Sequence, residues 1–574
     1  MKHLLSCLKT YKKETVLAPL FKLLEASLEL IVPLVVAQIV NVGIASGDKG
    51  YILKMCLLLV AFGVVGLAFS LTAQFFAARA AVGASAELRR RLFHKLQSFS
   101  YGQIDETGTA TMITRMTSDV NQVQSGVNMT LRLFLRSPFI VFGAMIMEFV
   151  VDVTSALVFV AVIPVLSLIV FAVMAACIPR YKRVQEKLDK VYLSTRENLA
   201  GVRVIRAFCK EESEKALFDR RSRELKSTQK RVGALAALTN PLTYVIINLA
   251  VIALVYVGAL RVHAGALEQG DVIALYGYLS QILVELIKLA NLIVTVTKAV
   301  SCQKRIGAVL DREGEQDTLT EGSEARDTDT AVAFENVTYA YQGGGAPALH
   351  QIDFKVRRGQ TVGIIGGTGS GKSTLINLIP RFYAATEGRV LVGGRDVNAV
   401  SATELRDKIA VVPQKSVLFK GTIRSNLLWG KGDASEEELL RAVEVAQAAD
   451  VVNAKGGLDA AIEQEGKNLS GGQRQRLCIA RALVRDPEIL ILDDSASALD
   501  YATDARLRAA LKKINKTVFI VSQRTASVRS ADFIIVLDDG SISDIGTHEE
   551  LLKTSEIYRE IHFSQFKEEE GKAV

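Results

Sequence analysis

One octapeptide decides how this chain folds and works: Gly366-Gly367-Thr368-Gly369-Ser370-Gly371-Lys372-Ser373. It matches G-x-x-x-x-G-K-[ST], the pattern of a phosphate-binding loop. The apolar residues 361–365 before it predict a buried strand, and the residues from Thr374 onward predict a helix. Glycines let backbone N–H groups turn toward phosphates, Lys372 can reach the terminal phosphates, and Ser373 can hold Mg²⁺. The octapeptide therefore predicts an α/β domain that binds ATP and Mg²⁺.

Further motifs flank this loop in a definite order. Tyr341 precedes it, and Gln414 follows it in the run Val-Val-Pro-Gln. The apolar residues 488–493 end in an acid, Asp493, and Asp500 closes the run Ser-Ala-Leu-Asp shortly after. Between Gln414 and this apolar run lies the pentapeptide Leu469-Ser470-Gly471-Gly472-Gln473. The set resembles the nucleotide-binding domain of ATP-binding-cassette (ABC) transporters, and the pentapeptide is its most specific member.

The resemblance implies a role for each motif. Tyr341 would stack on adenine, although a tyrosine that merely ends a strand is the alternative. Thr374 would join the loop in binding ATP, and Gln414 and Asp493 would join Ser373 around Mg²⁺. The pentapeptide 469–473 would hold the γ-phosphate of ATP bound to an opposite subunit, and Asp500 would lie in the loop that crosses to it. With a single such domain, the chain would be half of a transporter.

The apolar residues of the 574-residue chain are concentrated before residue 300. They predict an α-helical membrane domain with six transmembrane helices, near 15–46, 52–80, 131–151, 153–179, 234–262 and 271–300. Basic residues flank the spans, so we assign the net charge of +8 to the positive-inside rule and expect no nucleic-acid partner. We expect a multi-pass protein of a bacterial cell membrane, with both termini cytoplasmic. The predicted domains are 1–310, a linker 311–330, and 331–574.

The polar stretches after the second and fourth spans are too long for simple loops. Their helical periodicity predicts that the membrane helices continue far into the cytoplasm. Residues 108–120 and 197–208 also resemble the intracellular loops of ABC transporters, which end in short coupling helices. We expect these helices near 99–106 and 200–208, with ordinary surface helices as the alternative. The external connections are short, and the exporter-type architecture follows by resemblance.

Acidic residues inside the spans are candidates for the substrate cavity, because buried charges in membranes are costly and usually functional. Glu25 and Glu29 share a helix face, and Glu285 lies three residues before Lys288. One interpretation is an acidic cavity wall that attracts cationic drugs. The alternative is that these acids pair with nearby lysines or lie in helix extensions bathed by the cytoplasm.

Two positions depart from the family pattern. Asp494 stands where the family has the glutamate that polarises the attacking water, and Gln523 stands where it has the switch histidine. Aspartate is one methylene shorter, and glutamine cannot carry a positive charge. The sequence therefore predicts a degenerate site that binds ATP but hydrolyses it slowly or not at all. Because the signature pentapeptide is intact, we expect a heterodimer in which it completes the hydrolytic site of a second half-transporter.

The leading hypothesis is ATP-driven export of small hydrophobic or amphipathic compounds across the lipid bilayer, of the multidrug type. Import of an iron chelate such as a siderophore, or export of a lipid or peptide, uses the same fold and stays open. A soluble ABC ATPase acting on ribosomes or DNA is disfavoured by the six spans. A sensor or gated channel that binds ATP as a regulatory ligand is a further alternative.

Overall fold

A computed structural model describes residues 2–315, 329–341, 345–495 and 497–566 of the chain. It divides into two compact units. The first contains Met1–Gln97 and Ala110–Arg312, and the second contains Ser98–Thr109 and Glu313–Val574. Most of the predicted linker, residues 316–328, lies outside the described residues. The segment Ser98–Thr109 differs from the division expected at residue 310, because its side chains pack within the second unit.

The chain up to residue 310 is helical. Its helices are α1 (Lys2–Lys9), α2 (Lys12–Gln38), α3 (Lys49–Gln97), α4 (Tyr101–Thr107), α5 (Thr109–Thr114), α6 (Val120–Leu133), α7 (Arg136–Val151), α8 (Val153–Ala200), α9 (Val202–Ala207), α10 (Glu211–Ala237), α11 (Thr239–His263) and α12 (Gln269–Leu310). Two π-helical segments, Ile39–Ile44 and Arg115–Asp119, continue α2 and precede α6.

Six segments of this part are long and apolar enough to cross a membrane: Lys12–Ile44, Lys49–Gln97, Thr109–Val151, Val153–Ala200, Glu211–His263 and Gln269–Leu310. The predicted number of spans is therefore confirmed. Helix α3 alone has 49 residues, and at about 1.5 Å per residue it is more than twice as long as the ~30 Å hydrocarbon core of a bilayer. The helices thus extend well beyond their apolar stretches, as the periodicity predicts.

The second unit contains short helices and twelve strands in the described residues. The strands are β1 (Thr330–Tyr339), β2 (Leu349–Arg357), β3 (Thr361–Gly366), β4 (Glu387–Val392), β5 (Arg395–Asp396), β6 (Ile409–Val412), β7 (Gly421–Thr422), β8 (Ala461–Ile462), β9 (Ile489–Asp493), β10 (Thr517–Val521), β11 (Phe533–Asp538) and β12 (Ser541–Gly546). The helices are α13 (Lys372–Leu378), α14 (Ala402–Asp407), α15 (Ile423–Leu427), α16 (Glu436–Val445), α17 (Ala449–Lys455), α18 (Gly471–Val484), α19 (Tyr501–Lys512), α20 (Thr525–Val528), α21 (His548–Thr554) and α22 (Glu556–Gln565).

The main sheet has the strand order β12-β11-β3-β10-β9-β6. Strands β11, β3, β10, β9 and β6 are parallel, and β12 adds an antiparallel edge. The register sets Ile364 opposite Val521, and Val521 opposite Asp493. The carboxyl ends of β3, β9 and β10 therefore lie side by side, which is where ligands bind in open parallel sheets.

A smaller antiparallel sheet, in the order β2-β1-β4-β5, completes the unit. Its strand β1 ends two residues before Tyr341. The buried strands β3, β9 and β10 read as almost continuous apolar runs, as parallel strands covered on both faces do. The predicted fold class, helical membrane domain plus α/β nucleotide-binding domain, is confirmed.

Candidate ATP site

The predicted phosphate-binding loop connects β3 to α13 and depends on its glycines. Gly369 and Gly371 have φ angles of 87° and 95°, in the left-handed region that residues with a Cβ rarely adopt. A Cβ on Gly366 would lie 2.1 Å from the carbonyl oxygen of Leu537. The backbone of the loop can thus follow a ligand closely, because a side chain would clash at Gly366 and would strain the backbone at Gly369 and Gly371.

The charged and polar groups of the loop converge on one another. Lys372 Nζ donates to the carbonyl oxygens of Gly367 at 2.6 Å and of Gly366 at 3.0 Å, and to Ser370 Oγ at 3.3 Å. Ser373 Oγ donates to Asp493 Oδ1 at 3.1 Å. The strand register brings these partners together from 120 residues apart in the chain.

The same groups fit a hydrated Mg²⁺ ion. Ser373 and Asp493 present a hydroxyl and a carboxylate oxygen side by side, which are the hard ligands this ion prefers. Burial raises the pKa of the Asp493 carboxyl, the adjacent Asp494 raises it further, and the Ser373 hydrogen bond opposes both. Burial lowers the pKa of Lys372, whereas the negative charges of Asp494 and Asp493 act to raise it. A buried acid next to a half-buried one favours a cation beside them.

A cavity of about 320 Å³ opens at this edge of the sheet. It gathers most of the residues that the motifs single out for ATP: Tyr341, Thr368, Gly369, Gly371, Lys372, Ser373, Thr374, Gln414, Asp493, Asp494 and Gln523. Gly366, Gly367 and Ser370 lie in the loop beneath them. The sequence-predicted ATP residues are therefore brought together by the fold.

Tyr341 lies at the mouth of this cavity with its side chain partly exposed. Its hydroxyl is 3.0 Å from Thr374 Oγ1, and its ring makes edge contacts with Tyr339 at 4.9 Å and Tyr383 at 5.5 Å between centroids. These contacts fix the ring while leaving a face for a base.

Tyr383, which sequence reasoning missed, connects this region to α4. Its hydroxyl donates to Asp105 Oδ2 at 2.6 Å. Burial raises the pKa of this hydroxyl, and the hydrogen bond to Asp105 raises it further. Tyr101 of α4 stacks on Phe382 at 4.2 Å. The aromatic run Phe-Tyr at 382–383 was the available signal.

The two departures from the family pattern both line the cavity. Asp494 has a left-handed backbone with φ of 45°, and its N–H donates to Val521 O at 3.0 Å. Burial raises the pKa of its carboxyl, opposed first by a hydrogen bond from Gln414 and then by the charges of Arg524 and Lys372. The carboxylate is therefore already engaged by an amide of the same site.

The signature pentapeptide lies outside this cavity, as far as the described residues show. Ser470 caps α18 and forms a reciprocal capping box with Gln473. Leu469 is buried. A Cβ on Gly472 would lie 2.9 Å from Ala498 O, and one on Gly471 would lie 3.4 Å from Ala498 Cβ. The pentapeptide thus packs on the loop that follows β9.

Asp500 lies at the end of that loop and has a local partner. Its carboxylate accepts a hydrogen bond from the Thr503 N–H at 2.9 Å and caps α19. Arg524 also reaches this loop, donating to Ser497 O at 3.1 Å. The crossing of the loop to another subunit stays a prediction.

The three acids predicted for a substrate cavity are paired with cations of the same chain. Lys22 Nζ donates to Glu25 at 2.5 Å. Arg136, which sequence reasoning passed over, donates to both oxygens of Glu29 at 2.7 and 2.9 Å and to Glu285 at 2.6 Å. Lys288 also donates to Glu285 at 2.8 Å. The pairing alternative is the arrangement that the structure holds, and contact with a substrate stays a prediction.

Glu148 is the acid whose burial stands out. It is fully buried, and neither carboxyl oxygen has a hydrogen-bond partner among the described residues. The interruption it makes in an apolar span was visible in the sequence, but its isolation depends on the packing of neighbouring helices.

Comparison with known proteins places the two halves of the chain in one family. The family model of the ABC transporter transmembrane region matches residues 15–286, and the family model described as ABC transporter matches residues 349–497. An uncharacterized ABC transporter ATP-binding protein of Bacillus subtilis is 35% identical over 99% of both chains. The ATP-dependent lipid A-core flippase of Salmonella typhimurium is 32% identical over 83% of both chains.

A solved structure shares the fold. A bacterial Atm1-family ABC exporter with ATP bound superposes with a TM-score of 0.80 at 24% identity, covering 98% of this chain and 99% of that one.

Proposed function

Because this chain belongs to the ABC transporters, with one membrane region and one ATP-hydrolysing domain that make it half of a transporter, we propose that it exports hydrophobic or amphipathic compounds as one half of a heterodimer. Its own ATP site holds nucleotide and hydrolyses it slowly. Its signature pentapeptide completes the hydrolytic site of a partner half-transporter. The observation that carries this proposal is the pair Asp494 and Gln523 in the same cavity as the phosphate-loop residues, Gln414 and Asp493.

Asp494 is poorly suited to act as a base. Its carboxylate falls roughly 1.5 Å short of the position that a glutamate would reach, and a misplacement of ~1 Å costs on the order of a hundredfold in rate. The hydrogen bond from Gln414 and the charges of Arg524 and Lys372 already engage it within the site. A water molecule beyond Asp494 therefore lacks a partner that can take its proton.

Gln523 weakens the site in a second way. A histidine at this position can donate to the γ-phosphate with a positive charge, whereas an amide donates without one. Gln523 keeps a hydrogen-bonding side chain at the cavity, so recognition of the terminal phosphate persists. Together the two substitutions remove hydrolysis and spare binding.

The remaining residues support tight binding of Mg-ATP. Lys372 supplies a cation for the terminal phosphates, and Tyr341 presents an aromatic face for adenine. Ser373, Asp493 and Gln414 supply oxygen atoms for Mg²⁺, which neutralises phosphate charge when bound. Binding at this site therefore supports closure of two cassettes without turnover.

The segment Ser98–Thr109 supports coupling between nucleotide and transport. Its helix α4 packs on the second unit through the Tyr101–Phe382 stack and the Tyr383–Asp105 hydrogen bond. Tyr383 also contacts Tyr341. Closure around ATP thereby reaches α4, which is continuous in the chain with two membrane helices. In the first unit, α9 and the residue after it leave Val204 and Phe208 exposed, as a second coupling helix that docks on a partner requires.

The even number of spans puts both termini on one side of the membrane. The basic clusters at 89–91 and 180–183 follow apolar stretches, and such clusters favour the cytoplasmic side. We place the protein in a bacterial cell membrane with both termini in the cytoplasm. Export of a lipid is the second candidate function, favoured by the similarity to a lipid A-core flippase.

The division of labour is tested by restoring the family residues. In the transporter purified from membranes and reconstituted in liposomes, Asp494→Glu combined with Gln523→His should raise ATP hydrolysis by up to about a hundredfold at this site. Asp494→Asn, the matched control, should change turnover little. If Asp494→Asn abolished turnover as completely as loss of the partner's base, the asymmetry would be refuted. Uptake of an amphipathic dye against its gradient, compared with flipping of a labelled lipid, separates the two candidate cargoes.

A further inference from the structure

The last described helix, α22, ends against the segment that carries Gln523. We propose that Gln565, at the end of this helix, is a positioning residue that holds the segment 522–525 so that Gln523 can recognise the γ-phosphate of ATP. The inference rests on the proposed role of Gln523. It adds a residue that none of the sequence motifs includes.

The geometry joins one side chain to both sides of Gln523. Gln565 Nε2 donates to the backbone carbonyl of Gln523 at 2.6 Å. Gln565 Oε1 accepts from the Thr525 N–H at 3.0 Å and from Thr525 Oγ1 at 3.3 Å. An amide is the side chain that donates and accepts at once in this way. The contact therefore specifies glutamine rather than any polar residue.

The helix that carries Gln565 is well supported. Ser555 caps its first turn, and Tyr558 is fully buried in the core of the unit. His562 Nδ1 lies 3.2 Å from Thr525 Oγ1, and Thr525 itself is fully buried. The helix is thus a fixed support, and the hydrogen bonds of Gln565 transmit its position to the segment 522–525.

The same segment borders the cavity proposed for ATP. Gln523 lines the ATP cavity, and its backbone carbonyl accepts the hydrogen bond from Gln565. Ser522 is held from below by its N–H, which donates to Ile364 O at 3.1 Å. Loss of the Gln565 contact therefore frees the main chain at a residue whose side chain would meet the terminal phosphate.

A charge-only substitution tests the contact. Gln565→Glu keeps the size and the helical position but cannot donate, and its carboxylate faces the Gln523 carbonyl. Since ADP lacks the γ-phosphate, the variant should weaken ATP while sparing ADP. The ratio of ATP to ADP affinity should fall by about two- to tenfold, the usual effect of one hydrogen bond.

The measurement uses the full-length chain, purified from membranes together with any partner subunit and reconstituted in lipid nanodiscs. Photolabelling with 8-azido-ATP marks the chain that contacts adenine, and the labelled chain is then separated by gel electrophoresis. Competition by Mg-ATP and by Mg-ADP gives the two affinities. Ser564→Ala is the control and should leave the ratio unchanged, because in the described part of the chain the Ser564 hydroxyl bonds only to Ile561 O of its own helix.

Two further variants separate the contact from the assignment on which it rests. Gln523→Ala should lower the same ratio, and Gln565→Glu added to it should cause little further loss, as expected for coupled residues. An unchanged ratio in Gln565→Glu beside a lowered ratio in Gln523→Ala would refute the contact alone. An unchanged ratio in both would refute the role of Gln523 as well. Equal weakening of ATP and ADP would indicate a merely structural role and overturn the proposal.

Hydrogen exchange gives a readout that does not depend on nucleotide. In Gln565→Ala the Thr525 amide loses its acceptor, so the peptide that contains it should exchange faster than in the wild-type chain. Slow exchange in both proteins would contradict the proposed support.

Discussion

Two clusters of charged residues in this protein differ in how fully their charges are paired within the chain. In the membrane unit, Glu29 and Glu285 meet Arg136 and Lys288, so two negative charges face two positive ones. In the ATP site, Asp493 and Asp494 face Lys372, whose amino group is turned onto the carbonyls of its own loop. The first cluster is closed by its own chain, and the second leaves acids and a cation for a ligand to organise.

The contrast separates structural from functional charge. A buried acid in a membrane is expensive and is often taken as a functional signal. The charge of Glu285, however, is paired with the cations Arg136 and Lys288 of the same chain. The ATP site lacks such closure, because its groups are placed for phosphate and Mg²⁺. Completeness of pairing, rather than burial, distinguishes the two.

Removal of Arg136 is the strongest way to break the closed cluster. Arg136→Ala leaves the buried Glu285 with Lys288 and Ser137 alone and Glu29 without its partner. Breaking a buried pair by removing one member costs about 3–5 kcal/mol, so the thermal unfolding midpoint in detergent should drop markedly. If Arg136→Met with Glu29→Gln and Glu285→Gln is as unstable as the single variant, unpaired charge is not the cause.

Removal of Lys372 tests the open cluster, with the opposite signature. Lys372→Ala should lower photolabelling of this chain by 8-azido-ATP by about 10- to 100-fold, since hydrogen bonds to charged groups contribute about 1.5–3 kcal/mol. Its unfolding midpoint without nucleotide should change little, because among the described residues the amino group bonds only to its own loop. The exposed Lys513→Ala is the control for loss of a lysine. Retained labelling would contradict the assigned phosphate site.

Local patterns predicted much of this architecture. The strand, glycine loop and helix around residues 361–378 are encoded within a few residues, and the six spans follow from apolar length alone. The Arg136 cluster was not predictable in this way, because it joins α2, α7 and α12 across more than a hundred residues. Tyr383 and Gln565 were missed for the same reason. Their partners Asp105 and Gln523 are distant in sequence, and neither residue stands in a recognisable motif.

A third cluster, formed by two histidines, gives the smallest expected effect and refines the comparison, because it changes its charge within an accessible pH range. His548 Nδ1 lies 2.7 Å from the Tyr558 hydroxyl, and the rings of His548 and His562 are 5.3 Å apart. Burial lowers the pKa of His548, the nearby His562 and Arg529 lower it further, and Glu549 opposes these effects. Burial also lowers the pKa of His562, and Arg529 adds to that shift.

Because the folded pKa values lie below the unfolded value of about 6.5, the unfolded chain binds protons first as the pH falls. The stabilisation from these residues is therefore present above about pH 6.5 and is lost on acidification. The unfolding midpoint should fall between pH 7.5 and pH 5.5, and His548→Gln with His562→Gln should flatten that part of the profile. An unchanged profile in the double variant would assign the acid sensitivity elsewhere. A flattened profile would show that the histidine cluster, which lies next to the Gln565 contact, stabilises the fold while it is neutral and loses that effect when it is protonated.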